Sequence, residues 1–569
     1  MKKLILASTL ILFALSTFAQ EEKAAPADQG EGMNKNLKYE IPLAPEAYRR
    51  PADYELKLFD KNLRTLSEEY SAEFMDRAHK EMNRINKANS KGRYQAVGKS
   101  IDGHKCPEWF MDAKFGIFID WGLWSIASWC PDRGASRLYP DWYEQRLEFN
   151  YTPDSPNYGY HDYHVKNWGE DFKRDHFIDL FKASRFDADA LCSLFKKCGA
   201  GYVVPFSKHH SGFCLWDSSW TFRDVIDQGP HRDIDGELVE SCKKNGLKFG
   251  FYFSAGEWEY PILKDGEIQK FMEWERIEPY TDDMEYKASG KVAVNDFVYE
   301  YLVPQAVEFI DKYNPDILWY DYDWIVPAAK MGTYDISAYF YNKNDGVKEV
   351  CVNDRYGLAE KEEIEGRFTK STRYWLRTVR GDFYTDELGD TSEYIDPADY
   401  HPWECCRGLS RSFGNHWGDT AENVMSKNEF ICEFADIVAR GGNLLFLINL
   451  DGQGAIPEVQ RTRLLEIGQW LKRFGNAIYG TRVLAPYNTE DVDYVKSKDD
   501  RYAYAIIKKP AERVELECIV PARGRAKLVG SLRWLKTIRK DGKTYVCLPE
   551  KYIVDGTPIA IRFKMAKNS

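Results

Sequence analysis

Three kinds of pattern are missing from this sequence, and each absence argues against a class of function. No block of Lys and Arg stands out, and 78 basic against 89 acidic residues give a formal net charge of −11 at pH 7, which disfavours a nucleic-acid partner. The twelve cysteines include no CxxC pair, so a zinc ribbon is not expected. No glycine-rich phosphate loop follows an early strand-like run, which disfavours a doubly wound nucleotide-binding fold.

Aromatic residues, in contrast, are abundant. The 17 Trp, 36 Tyr and 31 Phe residues make up 15% of the chain. Such a composition suits carbohydrate binding, because the C–H faces of a sugar pack on aromatic rings while its hydroxyls seek charged groups. The length of 569 residues is typical of two or three domains, one of them large enough for a full core.

The N-terminus has the pattern of a secretory signal peptide. Lys2 and Lys3 precede an apolar run over residues 4–15, and small residues follow as far as Ala19. The run is too short to span a membrane, and no cysteine near the cleavage site suggests a lipid anchor. We predict a signal peptide over residues 1–19 and export of the chain, which in a Gram-negative cell means the periplasm or beyond.

The rest of the chain divides into three parts by its pattern of apolar residues. Residues 20–104 are predicted to be a polar leader followed by a helical extension, whose charged helical pattern runs from Pro51 to Lys91. Residues 105–484 alternate strand-like and helix-like runs, which predicts a (β/α)8-like TIM barrel of the α/β class. Residues 485–569 carry short β runs separated by turns and are predicted to form a C-terminal β-sandwich. The predicted barrel strands are Ala113–Asp120, Gly201–Phe206, Leu247–Ser254, Asp316–Asp321, Glu349–Asn353 and Asn443–Leu450.

Asp321 is the most informative single position. It ends the apolar and aromatic run that begins at Pro315, and the C-terminal end of a barrel strand is where catalytic side chains lie. Trp319 and Trp324 beside it could supply a platform for a sugar ring. The alternative is structural, since acidic residues after a strand often cap the next helix.

Other polar groups follow other predicted strands. His209 and His210 lack a spaced carboxylate ligand, so they indicate a hydroxyl-binding pocket better than a metal site. Arg355 could donate to a sugar or orient a carboxylate, or it could form an ordinary ion pair. Asp382, Asp386 and Glu387 are candidates for a second carboxylate and Glu404 is a further one, and glycoside hydrolysis normally needs two. The residues themselves therefore predict a barrel with a carboxylate-rich, aromatic rim.

Several motifs occur in an order that resembles the α-L-fucosidases of glycoside hydrolase family 29. The resemblance spans residues 105–485. The motifs are Ala113–Gly122, Lys208–Phe213, Leu318–Asp321, Asn353–Arg355, Trp403–Glu404, Gly441–Leu445 and Ile478–Thr481.

The resemblance implies a retaining mechanism without a metal or cofactor. It places the nucleophile at Asp321 and the acid/base at Glu387, in a Thr-x-Glu pattern. If substitution of Asp321 left the activity near normal, Asp323 would be the next candidate nucleophile, and Glu404 or Glu393 would be the next candidates if Glu387 failed as the acid/base. The sugar-binding positions that it implies are His209, His210, Trp319, Arg355, Trp142 and Phe413.

One position departs from the family pattern. The family's Phe-Ile-His-Trp-Gly is Phe118-Ile119-Asp120-Trp121-Gly122 here, and that His contacts the axial 4-hydroxyl of fucose in the family. Asp120 is shorter and, when ionised, accepts hydrogen bonds only. It would leave space near C6 of the sugar, which suits α-L-galactose as well as its 6-deoxy form, fucose. The alternative is a tolerated replacement in a fucosidase.

The leading hypothesis is a retaining exo-acting glycoside hydrolase that releases terminal α-L-fucose or α-L-galactose from oligosaccharides or polysaccharides. One competing hypothesis is a non-catalytic carbohydrate-binding protein on a degenerate barrel, which the filled positions 321 and 387 disfavour. The other is a metal-dependent hydrolase, which loss of activity with a chelator would support.

Overall fold

The computed structural model describes residues 40–56, 64–132, 137–147, 152–153, 155, 157–265, 267–272, 276–279, 289–324, 326–358, 381–387, 400–517, 521 and 524–564. The predicted signal peptide and Glu393 lie outside the described residues. Within this part of the chain no helix is long and apolar enough to cross a membrane.

Eight parallel strands form the central barrel. The first eleven strands of the described chain are β1 Phe115–Asp120, β2 Tyr202–Pro205, β3 Lys248–Ser254, β4 Glu259–Lys264, β5 Glu267–Met272, β6 Arg276–Pro279, β7 Ile317–Asp321, β8 Cys351–Val352, β9 Tyr384–Glu387, β10 Trp403–Arg407 and β11 Asn443–Asn449. Strands β4–β6 form a separate antiparallel sheet, and the other eight follow the order β8-β7-β3-β2-β1-β11-β10-β9. A parallel bridge between Asn353 and Phe383 links the two outermost strands, so the sheet closes on itself.

The barrel strands are apolar because both of their faces are buried. All six residues of β1 and all seven of β11 are buried, as expected of parallel strands covered by helices outside and side chains inside. Strand β7 buries Ile317 to Tyr320 and ends on the part-exposed Asp321. The register pairs Asp321 with Ser254 and Asp120 with Asn449, which places these strand ends on one face of the barrel.

Helices connect the strands and cover the barrel. They are α1 Glu68–Lys91, α2 Gly98–Ile101, α3 Glu108–Ala113, α4 Trp124–Ala127, α5 Tyr143–Arg146, α6 Tyr160–Trp168, α7 His176–Leu180, α8 Ala188–Lys197, α9 Ile234–Asn245, α10 Val303–Tyr313, α11 Thr333–Asn344, α12 Lys427–Ala439 and α13 Glu458–Phe474. Side chains satisfy several helix starts: Asp187 caps α8, and Ser426 with Glu429 forms a capping box on α12.

The N-terminal extension contains a shorter helix than predicted. Helix α1 begins at Glu68, not near Pro51, because Ser67 caps it by accepting a hydrogen bond from the Tyr70 N–H. Its buried side chains recur at three- and four-residue spacing and include Phe74 and Ala78. The helix packs against α10 and α11 on the outside of the barrel.

A second, antiparallel unit follows the barrel. Its strands are β12 Thr481–Asn488, β13 Val492–Ser497, β14 Tyr502–Ile507, β15 Arg513–Glu515, β16 Arg525–Leu528, β17 Trp534–Lys540, β18 Lys543–Cys547 and β19 Ile559–Lys564. They follow the order β12-β13-β14-β19-β16-β17-β18-β15. The barrel and this C-terminal β-sandwich confirm the predicted fold class.

A glycine on β1 makes room for a large polar residue inside the barrel. A Cβ atom on Gly116 would lie 2.2 Å from the Tyr202 ring, so only glycine fits beside that side chain. The Tyr202 hydroxyl donates a hydrogen bond to the fully buried Glu404, which also accepts one from Nε1 of Trp319 at 2.9 Å. This line of polar contacts crosses the barrel beneath the strand ends.

Candidate active site

Asp321 projects from the end of β7, and its side chain is 14% exposed. Its Oδ2 accepts a hydrogen bond from the Tyr252 hydroxyl at 2.6 Å. Its Oδ1 accepts from Nη1 of Arg355 and from the Tyr322 N–H, both at 2.9 Å. Tyr322 has a φ of 78°, rare for an aromatic residue, so the backbone turns sharply after the strand. Burial raises the pKa of Asp321, while the Arg355 charge and the Tyr252 hydrogen bond oppose that rise.

One guanidinium group joins the two predicted catalytic carboxylates. Arg355 donates from Nη1 to Asp321 and from Nη2 to Oε1 of Glu387. Its Nε donates to Oγ1 of Thr385 at 2.9 Å, which fixes the plane of the group. The other oxygen of Glu387, Oε2, accepts from Nη1 of Arg137 at 3.1 Å. Both oxygens of Glu387 are therefore paired with arginines.

The two histidines lie next to Asp321. Nε2 of His210 is 4.0 Å from Oδ2 of Asp321, and Nδ1 is 2.7 Å from Oγ of Ser254. Nε2 of His209 is 3.7 Å from Oδ2 of Asp141, and its buried Nδ1 has no hydrogen-bond partner among the described residues. Burial lowers the pKa of His209 to about 3 and that of His210 well below its usual value. Both rings are neutral at pH 7, so each offers one donor and one acceptor to hydroxyl groups.

Asp120 anchors a neighbouring loop. The residue is fully buried; its Oδ1 accepts from Nε1 of Trp124 at 3.0 Å and its Oδ2 from the N–H of Gly414 at 2.6 Å. Burial raises the pKa of Asp120, and these two hydrogen bonds oppose the rise. The anchored loop carries Phe413, whose ring stacks on Tyr139 with a centroid distance of 6.0 Å.

Aromatic rings surround the charged groups. The Trp142 ring lies 5.3 Å from His210, 5.6 Å from Trp258 and 6.2 Å from Trp324, measured between centroids. The Trp319 ring lies below the Arg355 guanidinium at 4.9 Å. Direct contacts link seven of the predicted site residues: Asp321, Glu387, Arg355, Trp319, His210, His209 and Trp142. Asp120 joins them through Trp124, and Phe413 through Tyr139 and Arg137.

Glu404 lies beneath the strand-end groups and contacts them through Trp319. It is fully buried inside the barrel, and its two oxygens accept from Trp319 and Tyr202. Burial raises the pKa of Glu404 to about 7. Its contacts make it a support beneath Trp319, whereas Glu387 pairs with the same arginine as Asp321.

Three polar residues of the cluster were not predicted from the sequence. Tyr252 could have been found, because it is two residues before Ser254 in a predicted strand and so shares its face. Asp141 directly precedes the predicted Trp142; it is buried, and its Oδ1 has no hydrogen-bond partner within the described residues. Arg137 belongs to no strand or motif, and no sequence signal marks it.

The cluster has the groups needed for substitution at a sugar carbon and lacks an evident metal site. In the described part of the chain, no group of three or more His, Cys, Asp or Glu side chains is placed to hold a metal ion. Two carboxylates share one guanidinium, two neutral histidines lie beside them, and indole rings form the walls. A parallel barrel that presents these groups at its strand ends is the catalytic domain of a glycoside hydrolase.

Comparisons with known proteins identify the family. The family model described as Alpha-L-fucosidase matches residues 81–476. The α-L-fucosidase of Dictyostelium discoideum is 30% identical over 420 residues, which cover 73% of this chain and 80% of that protein. The plasma α-L-fucosidase of Homo sapiens is 29% identical over 428 residues, which cover 74% and 80% respectively. A crystal structure of Thermotoga maritima α-fucosidase in complex with fucose superposes with a TM-score of 0.64 at 30% identity, over 83% of this chain and all of that one. This chain belongs to the α-L-fucosidase family.

Proposed function

We propose that this protein is a retaining, exo-acting glycosidase that releases terminal α-L-fucose or α-L-galactose from glycans. The observation that carries the proposal is the single Arg355 guanidinium that holds both Asp321 and Glu387 at the barrel's C-terminal face. Retaining glycosidases place their two carboxyl groups roughly 5–5.5 Å apart, and two carboxylates on one guanidinium are necessarily close neighbours.

Asp321 is the proposed nucleophile. It attacks the anomeric carbon and forms a covalent glycosyl-enzyme intermediate, which water then hydrolyses. Its hydrogen bonds to Tyr252 and Arg355 support this role, because they favour the ionised carboxylate and fix its direction.

Glu387 is the proposed acid/base. It protonates the leaving glycosidic oxygen in the first step and removes a proton from water in the second. Its place on Arg355, together with Asp321, supports this assignment over Glu404, whose oxygens bind Trp319 and Tyr202 inside the barrel.

Asp120, Asp141 and His209 are proposed to bind the sugar hydroxyls. Nδ1 of His209 and Oδ1 of Asp141 are buried and have no hydrogen-bond partner in the described chain, as expected of groups that await a ligand. Each oxygen of Asp120 accepts one hydrogen bond and retains a second lone pair. Because an aspartate is shorter than the family's histidine, we propose that the site admits a 6-hydroxyl and hence L-galactose as well as fucose.

We also propose that the chain is exported, with cleavage after Ala19, and that its glycan substrates lie in the periplasm or outside the cell. The plasma α-L-fucosidases among the relatives are compatible with export. The division into a leader with helical extension to residue 104, a barrel to 484 and a sandwich from 485 stays a prediction.

The direct test compares an aryl α-L-fucoside with an aryl α-L-galactoside that carries the same leaving group. We expect turnover of at least one, with the α-anomer of the free sugar appearing first in a proton NMR time course. The β-anomer as first product would contradict retention, and failure to cleave either compound would contradict the proposed activity.

A further inference from the structure

Ion pairs link four charged side chains in sequence at the candidate site. Asp321 pairs with Arg355, Arg355 with Oε1 of Glu387, and Oε2 of Glu387 with Arg137. Nη2 of Arg137 also donates to the backbone oxygen of Glu387 at 3.5 Å. Arg137 therefore contacts the carboxylate oxygen of Glu387 that Arg355 does not hold.

This order places Arg137 on the side of the leaving group, an inference that rests on the proposed function. The nucleophile faces the anomeric carbon, and the acid/base contacts the glycosidic oxygen, so the leaving group extends beyond the acid/base. Arg137 contacts the oxygen of Glu387 that faces away from Arg355. The outgoing part of the substrate must therefore pass close to its guanidinium.

The backbone holds Arg137 in this place. The N–H of Leu138 donates to the Arg411 oxygen at 2.9 Å, and Leu138 forms a parallel bridge with Ser412. The side chain is 10% exposed, and the guanidinium also hydrogen-bonds the Tyr139 side chain. A guanidinium held in a fixed orientation binds carboxylates and other oxyanions with two parallel hydrogen bonds.

Arg137 is placed to meet the leaving group as it departs. Its guanidinium contacts Glu387, the group proposed to donate a proton to the leaving oxygen. An anionic group on the leaving group would add a charge-assisted hydrogen bond in a largely buried setting, where such bonds contribute most. We propose that Arg137 lines the leaving-group subsite and selects substrates whose leaving group carries a carboxylate or a sulfate ester.

The test uses aryl glycosides of whichever sugar the enzyme cleaves, with three leaving groups: 4-carboxyphenyl, 4-sulfooxyphenyl and the neutral 4-carbamoylphenyl. The measured quantity is kcat/KM for each anionic substrate divided by kcat/KM for the neutral one. Arg137→Gln should reduce this ratio about tenfold relative to wild type, since it removes a charge-assisted hydrogen bond. Arg137→Lys, which keeps the charge without the planar fork, should give an intermediate ratio.

Arg411→Gln is the matched control. The Arg411 side chain, in the segment that pairs with Leu138, is 45% exposed and forms an ion pair with Asp132. The ratio of kcat/KM values for anionic and neutral substrates should therefore match that of the wild type. The two anionic substrates separate carboxylate from sulfate recognition. An unchanged ratio in Arg137→Gln, or an equal loss on all three substrates in a variant that melts like wild type, would overturn the role of Arg137. Failure of the wild type on every substrate would instead overturn the proposed function, and this inference with it.

Discussion

Single side chains at the strand ends have separate tasks in this site. Tyr252 and Arg355 fix the direction of Asp321, and Asp120 fixes the loop that carries Phe413. Glu387 differs from Asp321 in having an arginine on each oxygen, so its protonation depends on what those arginines bind. These differences allow the two carboxylates to be tested separately.

Glu387→Ala should reduce kcat/KM more for substrates with poor leaving groups than for substrates with good ones. A good aryl leaving group departs without a proton, whereas an alkyl or sugar leaving group needs general acid catalysis, which contributes about 10²–10⁴-fold. A series of aryl and sugar glycosides measures this dependence. Glu404→Gln should show no such dependence on the leaving group; if it does and Glu387→Ala does not, the acid/base role belongs to Glu404.

Asp120→His should move the preference between the two sugars towards fucosides. A site that hydrogen-bonds a hydroxyl can reject the analogue that lacks it by about 10⁴-fold, because buried polar groups are left unpaired. If Asp120 accepts from the 6-hydroxyl, wild type prefers α-L-galactosides and the variant loses that preference. The check is the ratio of kcat/KM for the two aryl glycosides. A wild type that strongly prefers fucosides, with an unchanged ratio in the variant, would contradict this role.

At the scale of strands and helices, the sequence predicted the apolar elements and missed the polar ones. Strands β1, β3, β7 and β11 coincide with predicted runs because buried parallel strands are continuously apolar. Strands β9 and β10 were missed because Tyr384–Glu387 and Trp403–Arg407 mix charged and polar side chains with few apolar ones. The hairpin of β4 and β5 was missed although Asp265-Gly266, which joins Lys264 to Glu267, is a strong two-residue turn signal.

The site was predictable where the family motifs cover it. Asp321, Arg355 and the histidines each follow a barrel strand, so their meeting at one rim follows from the barrel topology. Arg137 and Asp141 are brought in by a segment between strands, and their positions depend on tertiary contacts such as the Leu138–Ser412 bridge. The local pattern of residues in the sequence carries no information on such tertiary contacts.

The packing of β1 against β2 makes a further prediction. Gly116→Ala should destabilise the protein by about 1–3 kcal/mol, because the new methyl group overlaps the Tyr202 ring, which Glu404 holds in place. Gly408→Ala is the control, since its Cβ would meet Leu447 at an ordinary 3.5 Å. Thermal or denaturant unfolding measures both. Equal stability of the two variants would show that Tyr202 moves aside at no cost.

At the scale of the whole molecule, the interior contains many ionisable groups. Burial raises the pKa of Glu144, Asp224, Glu404 and Asp493 to about 7. For each, the folded state holds its proton to a higher pH than the unfolded state, where carboxyl pKa values are about 4. The contribution that each protonated carboxyl group makes to the free energy of unfolding is therefore fully present below about pH 4 and is lost as the pH rises to about 7.

Glu404→Gln isolates one of these groups. The amide cannot ionise, so the variant should gain stability relative to wild type between pH 4.5 and pH 8. The measurement is the difference in melting temperature between variant and wild type at several pH values. Glu458→Gln, at a carboxylate with a 79% exposed side chain, should show no such trend. If the difference in melting temperature between Glu404→Gln and wild type did not change with pH, Glu404 would not change its protonation in this range.

The identity of the nucleophile is the central claim, and azide rescue of Asp321→Ala tests it most directly. Without the carboxylate, kcat should fall by several orders of magnitude on an activated aryl α-L-glycoside. Azide should then occupy the space left by the carboxylate, attack the anomeric carbon and restore turnover. The product should be a β-L-glycosyl azide, identified by proton NMR. Asp323→Ala, assayed in the same way, should give no such product. Near-normal activity of Asp321→Ala, or formation of the β-azide by Asp323→Ala instead, would contradict the account.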